Sequence, residues 1–156
     1  MIEIEIPGRH NFALGHLLLD VNGTIALDGI IIDGAKARLA ELSQKINIYI
    51  VTANTRNNAD YLEQELNIEP HLINHGQEAS QKLFLANMLG KEKCVAIGNG
   101  SNDVLMLKQS AIGICVVGKE GASAEAVQHS DIVVYDINDA LDLLLNPKRL
   151  IATLRK

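Results

Sequence analysis

The sequence predicts an α/β protein in three layers, a parallel sheet with helices on both faces. Three observations predict it. Short apolar runs alternate along the chain with amphipathic stretches of helical period. Most of the runs are continuous rather than alternating, as expected of strands buried on both faces. The chain's 156 residues, 47% hydrophobic and 21% charged, suit one sizeable core.

Taken in order, Ile2, Ile4 and Ile6 alternate with Glu3 and Glu5 and read as a half-buried strand, broken by Pro7 and Gly8. Residues 1–10 are therefore an extra N-terminal strand segment. Residues 11–19 end in LLL and read as a buried strand running into Asp20. Asp28-Gly29, set between β-favouring residues, marks a hairpin, so 25–33 reads as a flap. Helices are expected over 35–45, 57–66, 78–89, 102–109, 122–129 and 137–145, with strands over 46–51, 71–74, 94–97, 112–117 and 131–135 between them. Pro147 suits the first turn of a C-terminal helix, 147–156, whose basic residues accompany an apolar stripe. That helix either packs on the domain or docks a partner or an anionic surface. No linker or low-complexity stretch divides the chain, and 1–156 reads as a single domain.

Charge and composition exclude several roles. A net charge of −5 disfavours nucleic acid as a partner, and 3% aromatics with no Trp leave no stacking platform for single strands. No apolar run approaches a membrane span of about 20 residues. The N-terminus lacks the basic flank and long apolar stretch of a signal peptide. Cys94 and Cys115 each sit in an apolar run and read as core thiols, pointing to a reducing cytoplasm. His71 and His75 are four apart, but in a strand and loop rather than on a helix, so they do not read as a zinc pair.

In an open parallel sheet, ligands bind outside the carboxyl ends of the strands, so chemistry is sought there. The first such end reads LLLDVNGT. Asp20 is either a nucleophile toward a phosphoryl group or a capping residue in a tight Asx-Gly turn. The second reads IYIVTANT, where Thr52 either holds a phosphate oxygen or caps the next helix. Lys82 lies on the helix before the CVAI strand. At the end of that strand, AIGNGSND places Asn99, Asn102 and Asp103 beside glycines, oxygen donors of the kind Mg²⁺ takes.

Together these residues resemble the haloacid dehalogenase superfamily, and within it the phosphorylation domain of P-type ATPases. The family's signatures are a strand-end DxDGT or DKTGT, a strand-end Ser or Thr, a helix Lys and GDGxND. Here they stand as DVNGT (20–24), Thr52, Lys82 and GNGSND (98–103), in the same order. The resemblance runs from about residue 14 nearly to the end. It implies a Rossmann-like fold and Mg²⁺-dependent phosphoryl transfer to Asp20. By carry-over, Asp20, Asn22, Thr52 and Lys82 are catalytic positions. Gly23, Thr24, Thr52, Ala53, Lys82 and Asn102 bind phosphate. Asp20, Asn22 through its carbonyl, Asn99 and Asp103 hold the metal.

Two departures stand out. Phosphatases of the family carry a general-acid Asp where this chain has Asn22, whose amide cannot act as an acid. The first Asp of GDGxND is here Asn99, which removes one charge from a hard-cation site. Only 32 positions separate Asp20 from Thr52 and 30 separate Thr52 from Lys82, so neither a nucleotide-binding domain nor a cap fits between them. The resemblance therefore implies a capless protein and not an ion pump. Its partner would be a small phosphorylated substrate, or a large one whose body closes the site. The flap residues Ile30, Ile31 and Ile32 and an edge strand over 1–6 lack obvious cover, which predicts a homo-oligomer. Two functions stay open: a phosphohydrolase of low turnover, or a non-catalytic phosphate- or metal-binding or interaction module.

Overall fold

The computed structural model describes residues 1–53 and 56–156. Six parallel strands make the central sheet: β3 (His16–Asp20), β6 (Asn47–Thr52), β7 (His71–Leu72), β8 (Cys94–Gly98), β9 (Ile112–Val116) and β10 (Ile132–Val134). Their order across the sheet is β10-β9-β8-β3-β6-β7. The order reverses at β3, and such a switch point opens a crevice at the strands' carboxyl ends. Asp20 pairs in register with Val51 of β6, and Leu19 with both Ile50 of β6 and Ile97 of β8. The ends of these three neighbouring strands therefore converge on one place.

The continuous apolar runs follow from burial on both faces. Leu17, Leu19, Val95, Ile97 and Ile114 pack on one side with residues of α1 (Ala35–Leu42), α2 (Arg56–Leu66), α6 (Ile137–Leu145) and α7 (Pro147–Leu154). Leu18, Ala96 and Cys115 face the other way, onto α3 (Glu78–Leu89), α4 (Val104–Gln109) and α5 (Ala124–Gln128). Adjacent residues on one strand thus serve two cores, which is the period-two rule at work. Cys94 and Cys115 are buried and free, and burial foremost pushes each thiol up to about 11. They are core thiols, as expected.

Two elements stand apart from the sheet. β4 (Ala26–Leu27) and β5 (Ile30–Ile31) form the flap hairpin, with Asp28 and Gly29 both at positive φ, the demand of a tight two-residue turn. β1 (Ile2–Ile4) pairs antiparallel with β2 (Phe12–Leu14) in a separate ribbon. The run 11–19, read from sequence as one strand, is thus two strands broken at Gly15. Nor is 1–6 an uncovered edge: Ile2, Ile4 and Ile6 are buried in the larger core. The basic C-terminal helix α7 starts at Pro147 and buries Leu150 and Leu154. Among the described residues, no helix is long and apolar enough to cross a membrane.

Candidate active site

Asp20 ends the central strand and is 8% exposed. Two side chains fix its carboxylate. Lys82 Nζ donates to Oδ1 at 2.7 Å, and Thr24 Oγ1 donates to Oδ2 at 3.1 Å. Lys82 arrives from the second turn of α3 and is itself 1% exposed. A lysine so buried needs partners for its charge. Its second partner is Asp103, at 2.6 Å. Burial pulls the Lys82 ammonium down, but Asp20 and Asp103 outweigh it and hold its pKa above the ordinary lysine value. Burial pushes the Asp20 carboxyl up to about 6, with Asp103 adding and Lys82 and Thr24 opposing.

Asp103 is wholly buried. Its Oδ1 accepts from Lys82, and its Oδ2 accepts from the amides of Asn99 and Gly100, both at 3.0 Å. Asp103, named from sequence as a metal position, has both oxygens engaged in folding the GNGSND loop and fixing Lys82. Gly98 makes this possible, since a Cβ there would fall 2.4 Å from Asp103 Cγ. Thr24, named from sequence as a phosphate-binding position, is engaged in a similar way. Its hydroxyl, wholly buried, lies 3.1 Å from Asp20 and 3.2 Å from Asn99 Oδ1, and its N–H donates to Val21. It positions Asp20. The Gly23 N–H likewise donates to Ala26 within the turn, at 2.8 Å. Gly23 matters for space: φ is +77°, and a Cβ would fall 2.3 Å from Glu120 and 2.5 Å from the Asn99 amide.

A cavity of about 350 Å³ opens over Asp20. Asn22, Thr52, Ala53, Lys82, Asn99 and Asn102 line it, so the structure brings these sequence-predicted positions together. Thr52 is buried at the end of β6, and Asn99 at the end of β8. Asn99 is held from two sides, its Oδ1 beside Thr24 and its Nδ2 donating to the Gly121 carbonyl at 3.2 Å. Two buried carboxylates share one ammonium here, so the cluster keeps a negative excess at the cavity floor. Among the lining residues, Asp20, Asn22 and Asn99 offer hard oxygen donors of the kind Mg²⁺ takes, and of these three only Asp20 carries a charge. Among the described residues no group of three or more His, Cys, Asp or Glu could hold a metal ion.

The wall also includes Ile73, His75, Glu78 and Glu120, which the sequence reading did not assign to the site. His75 Nδ1 lies 3.5 Å from Glu78 Oε1. These residues follow β7 and β9, so the strand-end rule, applied to every strand rather than three, finds them.

The family pattern described as hydrolase, haloacid dehalogenase-like hydrolase, matches residues 3–110. An uncharacterized protein of Methanocaldococcus jannaschii is 55% identical over 85 residues, covering 52% of this chain and 91% of that protein. The chloroplastic copper-transporting ATPase of Arabidopsis thaliana is 30% identical over 84 residues, 53% of this chain but only 9% of the pump. Among solved structures, the 3-deoxy-D-manno-octulosonate 8-phosphate phosphatase of Moraxella catarrhalis, in complex with magnesium ion, phosphate ion and KDO, superposes with a TM-score of 0.71. At 18% identity it covers 92% of this chain and 94% of its own. The match over two thirds of the sequence and the shared sheet lead to one conclusion: the chain belongs to the haloacid dehalogenase-like hydrolases.

Proposed function

We propose that the chain is a Mg²⁺-dependent phosphohydrolase working through an aspartyl-phosphate on Asp20. One observation carries this reading: a strand-end carboxylate, pinned by Lys82 and Thr24, forms the floor of a cavity whose wall offers Thr52, the Ala53 backbone and Asn102. Asp20 attacks phosphorus in line, and the bond to the leaving oxygen breaks. Thr52, Ala53, Lys82 and Asn102 hold the phosphoryl oxygens. Water then attacks the phospho-aspartate and frees phosphate. This chemistry is mostly positioning and charge neutralisation. Mg²⁺ would be held by Asp20, the Asn22 carbonyl and Asn99, and when bound it neutralises developing phosphoryl charge.

A cavity of about 350 Å³ suits a small phosphorylated substrate, and a larger phosphorylated body could close the mouth from outside. Asn22 itself supplies no proton to the leaving oxygen. Asn22 and Asn99 also favour a second reading, a non-catalytic module that binds phosphate or metal. The two separate in one experiment. The purified chain is incubated with an acyl phosphate and Mg²⁺. A hydroxylamine-labile phospho-protein should form, Asp20→Asn should abolish it, and Asn22→Asp should raise turnover by about tenfold or more. No phospho-protein, and no gain from Asn22→Asp, leaves the binding module standing.

A further inference from the structure

The cavity wall carries one pair that the proposed phosphohydrolase leaves unused, His75 and Glu78, the latter one helical turn from Lys82 on α3. Three features hold the pair at the cavity wall, where the His75 side chain is 80% exposed and that of Glu78 24%. His75 sits on the loop between β7 and α3, and its Nδ1 faces Glu78 Oε1 at 3.5 Å, which leaves Nε2 as the nitrogen away from the pair. The loop is clamped by Gln81, whose amide accepts from the Asn74 N–H at 2.9 Å and donates to the Asn74 and Gln77 carbonyls at 2.9 and 3.1 Å. Gln81 is the chain neighbour of Lys82, so the histidine loop and the buried lysine are carried by one turn of α3. Backbone hydrogen bonds at the start of α3, with His75 adding, hold the Glu78 carboxyl below its ordinary range, so it stays ionised. An ionised carboxylate fixes the tautomer of its histidine and steadies the imidazolium.

We propose that His75, oriented by Glu78, carries the proton transfers that Asn22 cannot make. The inference rests on the phosphohydrolase reading and deepens it. In the first step a bond forms between an Asp20 oxygen and phosphorus, the bond to the leaving oxygen breaks, and that oxygen keeps the electron pair and takes the proton from His75 Nε2. In the second step water adds to phosphorus and gives its proton to the now neutral imidazole. The Asp20–phosphorus bond breaks, and carboxylate and imidazolium are restored. The other charged groups facing this cavity are Asp20, Lys82 and Glu120. His75 is a catalytic residue in this scheme, and Glu78 is a positioning residue.

The test uses the full chain with Mg²⁺ and aryl phosphates of graded leaving-group acidity. His75→Gln should lower kcat/KM by about 100-fold on the poorest leaving group and far less on the best. Glu78→Gln should lower kcat on the poorest leaving group with KM left within about twofold, because the imidazole loses the partner that sets its direction. In the Asn22→Asp background, the loss from His75→Gln should shrink to within about threefold, since a carboxyl now does the same work. A uniform loss across leaving groups and in both backgrounds makes His75 structural and overturns the proposal. So does a wild-type rate in His75→Gln, or an unchanged kcat on the poorest leaving group in Glu78→Gln. If the unaltered chain forms no phospho-protein with an acyl phosphate, the phosphohydrolase reading itself fails, and this inference with it.

Discussion

A buried lysine between two aspartates is costly unless each charge is answered, and here every oxygen of Asp103 and both of Asp20 are engaged. Removing Lys82 leaves two carboxylates unanswered in a site where Lys82 is 1% exposed. Lys82→Met should therefore destabilise the fold by about 3–5 kcal/mol, read as a lower urea midpoint. An unchanged midpoint would mean that the cluster is hydrated and its ion pairs contribute little. Position 99 sets the charge of the proposed metal site. Asn99→Asp adds a hard anionic oxygen there and should tighten Mg²⁺ binding in calorimetry by about tenfold. Unchanged or weaker binding would show that residue 99 is no ligand. The residue scale is also where the sequence was least legible. Motif spacing located Thr24 and Asp103 but not the direction of their side chains, because that of Asp103 is decided by Gly98 and the loop amides it satisfies, and that of Thr24 by Asp20 and Asn99. The same spacing gave no hint of His75 or Glu120, which reach the cavity from loops with no motif of their own.

At the scale of elements, α1 and α6 lie against one face of the sheet and are joined by one ion pair. Arg38 Nε and Nη2 donate to Asp142 Oδ1 and Oδ2 at 2.8 and 3.1 Å, a bidentate match. Its hydrogen bond to Arg38, above all, holds the Asp142 carboxyl below its ordinary range. A carboxyl depressed in the folded state adds stability above its unfolded pKa and loses it as pH falls through the folded one. Asp142→Asn should therefore lower the thermal midpoint at pH 7, and the gap to the unaltered protein should close below about pH 4, near the model-peptide carboxyl pKa. A gap that persists at pH 2 would assign the loss to packing instead. Helix and strand existence was legible because apolar periodicity is a local property. The helix over 78–89 and the Asp28-Gly29 turn stand where the residues placed them. The break at Gly15 was not legible. The residues on both sides of it are apolar, and only pairing partners far along the chain separate β2 in its ribbon from β3 in the sheet.

For the whole molecule, the open question is what covers the flap. A groove of about 810 Å³ runs between the hairpin and the ends of β9 and β10, lined by Leu27, Ile30, Ile31, Val116, Tyr135 and Ile137 among others. It lies on the far side of the Gly23–Thr24 turn from the cavity over Asp20, and those two residues form part of its wall. Ile30 is 68% exposed and Tyr135 84%, while β1, the other surface suspected from sequence, is already covered. Large apolar side chains gathered at one mouth mark an interaction surface more often than a bare one. We expect a homo-oligomer assembled through the flap, in which a neighbouring copy covers the exposed Ile30 and Tyr135. Light scattering on the purified chain at high micromolar concentration should give at least twice the 16.9 kDa chain mass. Ile30→Glu places a charge on the exposed side of a two-residue strand that contributes little to the core, so it should yield a folded monomer with an unchanged far-UV circular dichroism spectrum. A monomer mass for the unaltered chain at that concentration would sink the assembly. It would leave the flap free for a macromolecular substrate, whose own body would have to exclude water from Asp20.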